Sequence, residues 1–263
     1  MRITMRKAIK RLLAFAMVLA VGITALGVTE AKAAANKALQ VSFSFDGMND
    51  NNENDPAQNE KCWFNNSYAI YVAGSQKVVP VKGLKTSADI YIPKKVLDKK
   101  GSRVSVSTYI NLLDKKGDYV GAIEGLISID VQKENGKIKV YAWDNKKNKN
   151  VKVGSYATCK AGKGAYKSYY VIQLKNLPGK GEMNLEGGDT KKLTSSTKYG
   201  FNMGVNVCGI NYKGSGKFYV DNIKTTSGKK TVASQDFTKK PKYYGVFNKD
   251  KELKKSKAKI VTF

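Results

Sequence analysis

The chain has 263 residues, and its 47 Lys and Arg against 21 Asp and Glu give a formal net charge of +26 at pH 7. It contains no histidine, which excludes Ser-His and Cys-His nucleophile systems, histidine-ligated zinc and a histidine general base. Any catalysis would have to use carboxylates, tyrosines or lysines.

The first 35 residues have the features of a secretory signal peptide. Basic residues between Arg2 and Arg11 precede an apolar stretch, Leu12 to Val28, and Ala33-Ala34-Ala35 fits a cleavage site. A retained membrane anchor is the alternative, because the apolar stretch approaches the length that spans a bilayer. The small residues favour cleavage, so we expect an extracellular protein with no membrane contact after cleavage.

Lysine dominates the charge of the remaining chain. Without the six basic residues and one acidic residue of 1–35, 41 basic and 20 acidic residues remain, and Arg103 is the single arginine among them. Nucleic-acid readers depend on arginine for bidentate contacts, so we expect no nucleic-acid partner. A solvated lysine surface is one interpretation, and attraction to an anionic cell-wall polymer or acidic polysaccharide is the other.

The three cysteines are Cys62, Cys159 and Cys208. Their odd number leaves at least one thiol unpaired unless it pairs between chains. The sequence does not decide which of them pair.

Alternation of apolar and polar residues predicts β-strands along most of the chain after residue 35. Asn135-Gly136 is the strongest hairpin signal, and 48–60 and 177–196 are expected to be loops. Strands are expected at 39–45, 66–72, 77–81, 87–92, 103–112, 126–133, 137–143, 151–155, 169–175 and 231–237, with one helical turn at 94–98.

The stretch from Lys198 to Lys224 contains two further alternating runs around a glycine-rich turn at 211–217. We predict that these runs pair as antiparallel strands. Asp221 is unusual there, because carboxylates are depleted in strands.

So many short strands without a helical period predict an all-β protein, and a jelly-roll β-sandwich is the economical fold at this length. We expect one domain at 36–237 after the signal peptide at 1–35. The lysine-rich tail at 238–263 would form a final strand or hang free.

Three features occur in a familiar order: an early strand that ends at Asp46, the run Ala88 to Pro93, and Tyr212-Lys213-Gly214 followed by the strand Phe218 to Ile223. This order resembles the jelly-roll carbohydrate-binding modules attached to secreted bacterial mannanases and related glycanases. The resemblance spans roughly 39–237, and only 212–223 is specific. It implies a concanavalin- or galactose-binding-like sandwich that binds a plant-type β-glycan, such as mannan or glucan, without catalysis.

The resemblance also implies a structural calcium between the first and last strands, at Asp221 and Asp46. Calcium takes about six to eight oxygen ligands, so backbone carbonyls and waters would complete the shell. The alternative is that Asp221 accepts hydrogen bonds from a neighbouring turn.

Sugar recognition in such modules uses aromatic rings stacked on pyranose faces, with amides and carboxylates bound to hydroxyls. Trp63 and Trp143 are the only tryptophans. For these rings, packing within the core is the alternative. The ligand-binding candidates are Trp143, Trp63, Tyr141, Asn145, Tyr109, Tyr119 and Tyr212.

A jelly-roll glycoside hydrolase or polysaccharide lyase is the chief alternative function. A hydrolase needs two carboxylates about 5–10 Å apart, whereas Glu124 and Asp130 would lie about 20 Å apart on a regular strand. We therefore predict no catalytic residue, although a lyase could use lysine and tyrosine. A third possibility is a cell-wall or surface adhesion protein that binds through charge.

Overall fold

The computed structural model describes residues 36–47, 65–124, 127–144, 147–179, 181–185, 189–249 and 251–262. The helical segments lying wholly within these residues are α1 Lys94–Asp98 and 3₁₀ turns at Val153–Ser155 and Gly164–Tyr166. The strands are β1 Lys37–Asp46, β2 Ser67–Pro80, β3 Leu84–Pro93, β4 Arg103–Leu113, β5 Tyr119–Glu124, β6 Ile127–Glu134, β7 Lys137–Asp144, β8 Lys149–Val151, β9 Ala157–Ala161, β10 Tyr169–Pro178, β11 Glu182–Leu185, β12 Thr190–Lys192, β13 Lys198–Ile210, β14 Lys213–Ser227, β15 Lys230–Gln235, β16 Tyr244–Asn248, β17 Lys251–Glu252 and β18 Ala258–Thr262. Within this described part of the chain, no helix has the length and apolar character needed to cross a bilayer.

The strands form two antiparallel sheets. The first sheet has the order β18-β1-β14-β3-β10-β9, with β15 beside β14. The second sheet has the order β12-β11-β5-β4-β13-β2-β16-β17, and β6 to β8 continue it from β4.

The connectivity is that of a jelly roll. Strands β1, β3 and β14 belong to the first sheet, whereas β2, β4 and β13 belong to the second. The chain thus alternates between the sheets, and the central orders are β1-β14-β3-β10 and β2-β13-β4-β6. The predicted all-β jelly-roll sandwich is confirmed.

Both sheets contribute their inward side chains to one core. Alternation along β4 buries Val104, Val106, Ile110 and Leu112, as the sequence predicted. The same core includes Phe218 of the first sheet. Burial of each such side chain stabilises the fold by about 1.5–3 kcal/mol relative to an exposed position. The residues between them along the strand point to the outer face of the sheet.

The two runs between Lys198 and Lys224 do not pair with each other, so that prediction is wrong. β13 pairs with β2 and β4 in the second sheet, and β14 pairs with β1, β3 and β15 in the first. Only Asn211 and Tyr212 separate the strands, and Asn211 has a φ of 58°. The apolar faces of the two strands pack in the common core instead of lying edge to edge.

Other local predictions had mixed outcomes. Asn135 and Gly136, with φ values of 48° and 76°, form the predicted turn between β6 and β7. The two strands expected at 66–72 and 77–81 form the single strand β2, in which a Cβ on Gly74 would lie 2.6 Å from the Phe201 ring. The expected loop at 177–196 contains β11 and β12, and the expected strand at 151–155 is mostly a 3₁₀ turn.

The lysine-rich tail contributes strands to both sheets. β16 pairs with β2 in the second sheet, and β18 pairs with β1 in the first. The predicted signal peptide and the predicted sites at Trp63 and Asn145 lie outside the described residues.

Candidate functional site

The outer face of the second sheet carries tyrosines and asparagines where its strands β2, β4, β13 and β16 lie side by side. A shallow cavity of about 330 Å³ on this face is lined by Ala69, Tyr71, Asn111, Asn202, Tyr243 and Phe247. We call this surface, together with Tyr109, the tyrosine–asparagine face. Those of its side chains that lie on strands point outward because they alternate with core residues, and Tyr243 directly precedes β16.

Strand register brings the two central tyrosines together over a glycine. Gly204 of β13 lies opposite Tyr71 of β2 and Tyr109 of β4. The two ring centroids are 5.0 Å apart, with the ring planes at 66°. A Cβ on Gly204 would lie 2.5 Å from Cε2 of Tyr109, so the Tyr109 ring occupies the space that any other residue at 204 would fill.

Two more rings extend this pair toward the sheet edge. The Tyr71 centroid lies 5.5 Å from that of Phe247, with the planes at 73°. Tyr243 is 46% exposed, and burial, followed by the charges of Glu252 and Tyr71, raises the pKa of its hydroxyl. Phe247, Tyr71 and Tyr109 therefore form a series of edge-to-face rings with Tyr243 beside it.

Amide and hydroxyl groups border the rings. Asn111 and Asn202 lie opposite each other on β4 and β13 and line the cavity. Asn206 lies four residues beyond Asn202 on β13, and its Oδ1 accepts a 2.6 Å hydrogen bond from the Ser67 hydroxyl. Among the described lining residues none carries a formal charge. The arrangement places apolar ring surface, suited to C–H groups, beside amides that suit hydroxyls.

The predicted residues Trp143 and Tyr141 lie farther along the same sheet. Trp143 is 37% exposed on β7. The Tyr141 hydroxyl donates a 2.8 Å hydrogen bond to Glu134, and this bond is the first cause of its raised pKa. Tyr141 lies opposite Asp130 of β6, which lies opposite Ser105 of β4, so the β7 residues are about 10 Å from β4 across the sheet.

The structure separates the remaining predicted rings. Tyr109 belongs to the tyrosine–asparagine face, and Tyr119 is 46% exposed at the start of β5. Tyr212 is only 8% exposed, with its ring in edge contact with Phe43 and Phe45 at 6.5 and 6.4 Å. The connection between the sheets places Tyr212 in the core, so it is not an exposed platform for a sugar.

The two carboxylates predicted to hold one calcium are far apart. Asp46 lies opposite Lys213 of β14, whereas Asp221 is eight residues farther along that strand, a separation of about 26 Å. The carboxylate of Asp46 is 3.9 Å from the Lys249 ammonium group. The two aspartates therefore cannot be ligands of the same ion, which corrects that assignment.

The surroundings of Asp221 suit the alternative interpretation, in which its carboxylate accepts hydrogen bonds. It is fully buried opposite Asp89 of β3, and its Oδ1 accepts a 2.7 Å bond from the Asn222 backbone N–H. The Asn222 amide donates a 2.8 Å bond to Asp89. No group of three or more potential ligands of the His, Cys, Asp and Glu types was found within the described residues. The calcium itself stays a prediction.

Glu124 and Asp130 do not lie on one regular strand as assumed. They belong to β5 and β6, opposite Tyr109 and Ser105 of β4. Because these partners are four residues apart, the backbones of the two acidic residues are separated by about 13 Å along the strand direction. Asp130 forms a 3.8 Å ion pair with Arg103.

Sequence reasoning missed Tyr71, Asn111, Asn202, Tyr243 and Phe247 as site residues. The available signal was the alternation along 198–210, which puts Asn202 on the polar side of its strand. It could not show that β2, β4, β13 and β16 are neighbours, because these strands are distant in the chain.

No family model and no curated protein matches the sequence. Among solved structures, the tailspike protein of Acinetobacter baumannii phage AM24 is similar with 12% identity and a TM-score of 0.22, over 56% of this chain and 26% of that one. The chain thus spans about a quarter of the tailspike. A Family 7 alginate lyase A1-II′ in complex with its substrate is similar with 9% identity and a TM-score of 0.18, over 80% of this chain and 67% of that one. At these scores neither likeness bears on the function of this chain.

Proposed function

We propose that the chain is a secreted, non-catalytic polysaccharide-binding protein that holds a neutral β-glycan, such as mannan or glucan, on the tyrosine–asparagine face. The observation that carries the proposal is the ring series Phe247, Tyr71 and Tyr109 beside the amides of Asn111 and Asn202. Sugar rings have apolar C–H faces and polar rims, so alternating rings and amides complement them.

The face extends across several strands, which suits a chain better than a single sugar. Phe247 on β16 lies opposite Ala69, and the residues opposite each other on the next strands are Asn206 and Ser107. Strands β6 and β7 continue the sheet from there to Trp143. Five strand spacings make about 24 Å. A glycan that crosses the strands would therefore meet aromatic rings at both ends.

Affinity gel electrophoresis at high salt tests the proposal. The cavity is lined by uncharged groups, so binding of a neutral glycan should survive salt that screens charges. Tyr109→Ala and Tyr71→Ala should each lose about 2 kcal/mol of affinity, or roughly 30-fold, if these rings are central contacts. Tyr119→Ala is the control, because that tyrosine is 46% exposed on β5 and does not line the cavity.

Asn111→Ala provides a second test that leaves every ring in place, and we expect a weaker but measurable loss. Gels with and without a chelator test the predicted calcium. Equal retention of the wild type and all four variants would contradict the proposal, as would release of reducing ends or unsaturated sugars from the glycan, which would indicate an enzyme.

A further inference from the structure

The first sheet has a lysine-lined pocket that the proposed function does not use. The pocket has a volume of about 660 Å³ and is lined by Lys94, Lys95, Lys167, Lys217, Ser168 and Tyr169. We propose that this pocket binds the carboxylate or phosphate groups of a linear anionic glycan.

Backbone contacts hold lysines from separate segments around the pocket. The Lys94 backbone N–H donates a 2.9 Å hydrogen bond to the Ser168 carbonyl, which joins the start of α1 to the start of β10. Tyr169 lies opposite Pro93, the residue before α1. The Lys95 ammonium donates a 2.9 Å bond to the Ser215 carbonyl, which fixes it beside β14. These contacts join the segments that carry the lysines, and the side chains of all four line the pocket.

The pocket has no acidic lining to balance this charge. Among the described residues that line it there is no Asp or Glu. Lys94 lies over the Tyr170 ring at 5.7 Å, and its charge helps to lower the pKa of the Asp98 carboxyl, which lies outside the lining and is ion-paired with Lys133 at 2.7 Å. Several cations without a lining counter-ion create a positive potential that concentrates anions.

A second groove continues the positive surface beyond the pocket. It has a volume of about 620 Å³ and contains Lys249, Lys251, Lys254 and Lys257, with Asp46 and Glu252 among them. Ser42 lines this groove and lies directly opposite Lys217 of the first pocket. The two cavities therefore adjoin, and their eight lysines form a track longer than a single small anion requires.

The side chains favour an anionic glycan over a nucleic acid. Every cation of the track is a lysine, whereas arginine provides the bidentate contacts typical of nucleic-acid recognition. Arg103, the single arginine after the first 35 residues, is paired with Asp130 in the second sheet. Tyr169 adds a ring beside the lysines that a sugar can contact.

The test measures affinity at low and high salt for polygalacturonate, which carries carboxylates, for a phosphorylated glucan and for duplex DNA, with mannan as the neutral comparison. The variant is Lys94→Gln with Lys217→Gln. The matched control is Lys191→Gln with Lys192→Gln, which removes the same charge from the exposed strand β12. Unfolding curves of both variants check that the fold is intact.

We expect at least one polyanion to bind at low salt, and the pocket variant to bind it about tenfold more weakly with a smaller salt dependence. The β12 control should lose less than twofold. Binding to the carboxylate polymer alone or the phosphate polymer alone identifies the group recognised. Equal losses in the two variants, absence of binding to both polymers, or preference for duplex DNA would overturn the inference. Tyr109→Ala, which tests the neutral-glycan proposal, should leave polyanion binding unchanged. Loss of polyanion binding in the lysine variant and loss of neutral-glycan binding in Tyr109→Ala are therefore separate results, and either proposal can fail without the other.

Discussion

Gly204→Ala is expected to destabilise the protein by displacing the Tyr109 ring from the second sheet. The new Cβ would lie 2.5 and 2.6 Å from Cε2 and Cδ2 of that ring, and 3.0 Å from the Tyr109 carbonyl oxygen. We expect displacement of the ring to disturb its contact with Tyr71, whose centroid is 5.0 Å away. Overpacking costs about 1–3 kcal/mol, and the aromatic pair contributes about 0.5–1.5 kcal/mol.

An opposing gain comes from the unfolded state, because alanine restricts the unfolded chain and stabilises by about 0.4–1 kcal/mol. The net expected loss is about 2 kcal/mol in the free energy of unfolding. Gly154→Ala is the control, since a Cβ there meets nothing within 4 Å and the φ is not positive.

Urea unfolding of a double-mutant cycle isolates the cause. In a Tyr109→Ala background the two nearest atoms are gone and the Tyr109 carbonyl oxygen at 3.0 Å remains, so Gly204→Ala should cost less than about 1 kcal/mol. The same cost in both backgrounds, or an equal cost for Gly154→Ala, would refute the reasoning that the ring requires a glycine beneath it.

Two further predictions concern local structure and pH. Gly136→Ala should lose about 1–2 kcal/mol by urea unfolding, because its φ of 76° is left-handed; a loss no larger than that of Gly154→Ala would contradict this. Burial tends to raise the pKa of the Asp98 carboxyl, but hydrogen bonds from Lys133 and Tyr170 outweigh it and hold the pKa below its usual value. A depressed carboxyl pKa stabilises the fold above the unfolded value of about 3.9, and this stabilisation is lost as the pH falls through the folded pKa. Asp98→Asn should therefore lower the free energy of unfolding at pH 7 by under about 1 kcal/mol, since that side chain is 40% exposed. The difference in stability from wild type should shrink below about pH 3.9. A difference that does not change with pH would argue against the ion pair.

Local features of the fold were predictable because their causes are local. The alternation from Val104 to Leu112 marks β4, and Asn135-Gly136 marks a hairpin, since each depends on neighbouring residues only. The pairing of β13 and β14 was mispredicted because a hairpin and a crossing between sheets have the same local pattern. That crossing also buries Tyr212, which no alternation rule could show.

The candidate site was only half predictable for the same reason. Alternation shows that Asn202 and Tyr109 face away from the core, but the site exists because β2 lies beside β13. The bond between Ser67 and Asn206 on these strands joins residues 139 apart in the chain. Such long-range neighbours follow from the packing of the whole sandwich.

The most direct measurement of the central proposal is the change in backbone amide NMR shifts on titration with a manno- or gluco-oligosaccharide at high salt. We expect the largest changes on the tyrosine–asparagine face, at Tyr71, Tyr109, Asn111, Asn202 and Phe247, with smaller changes toward Trp143. Changes confined to the lysine pocket of the first sheet, or no saturable change with any neutral oligosaccharide, would contradict it.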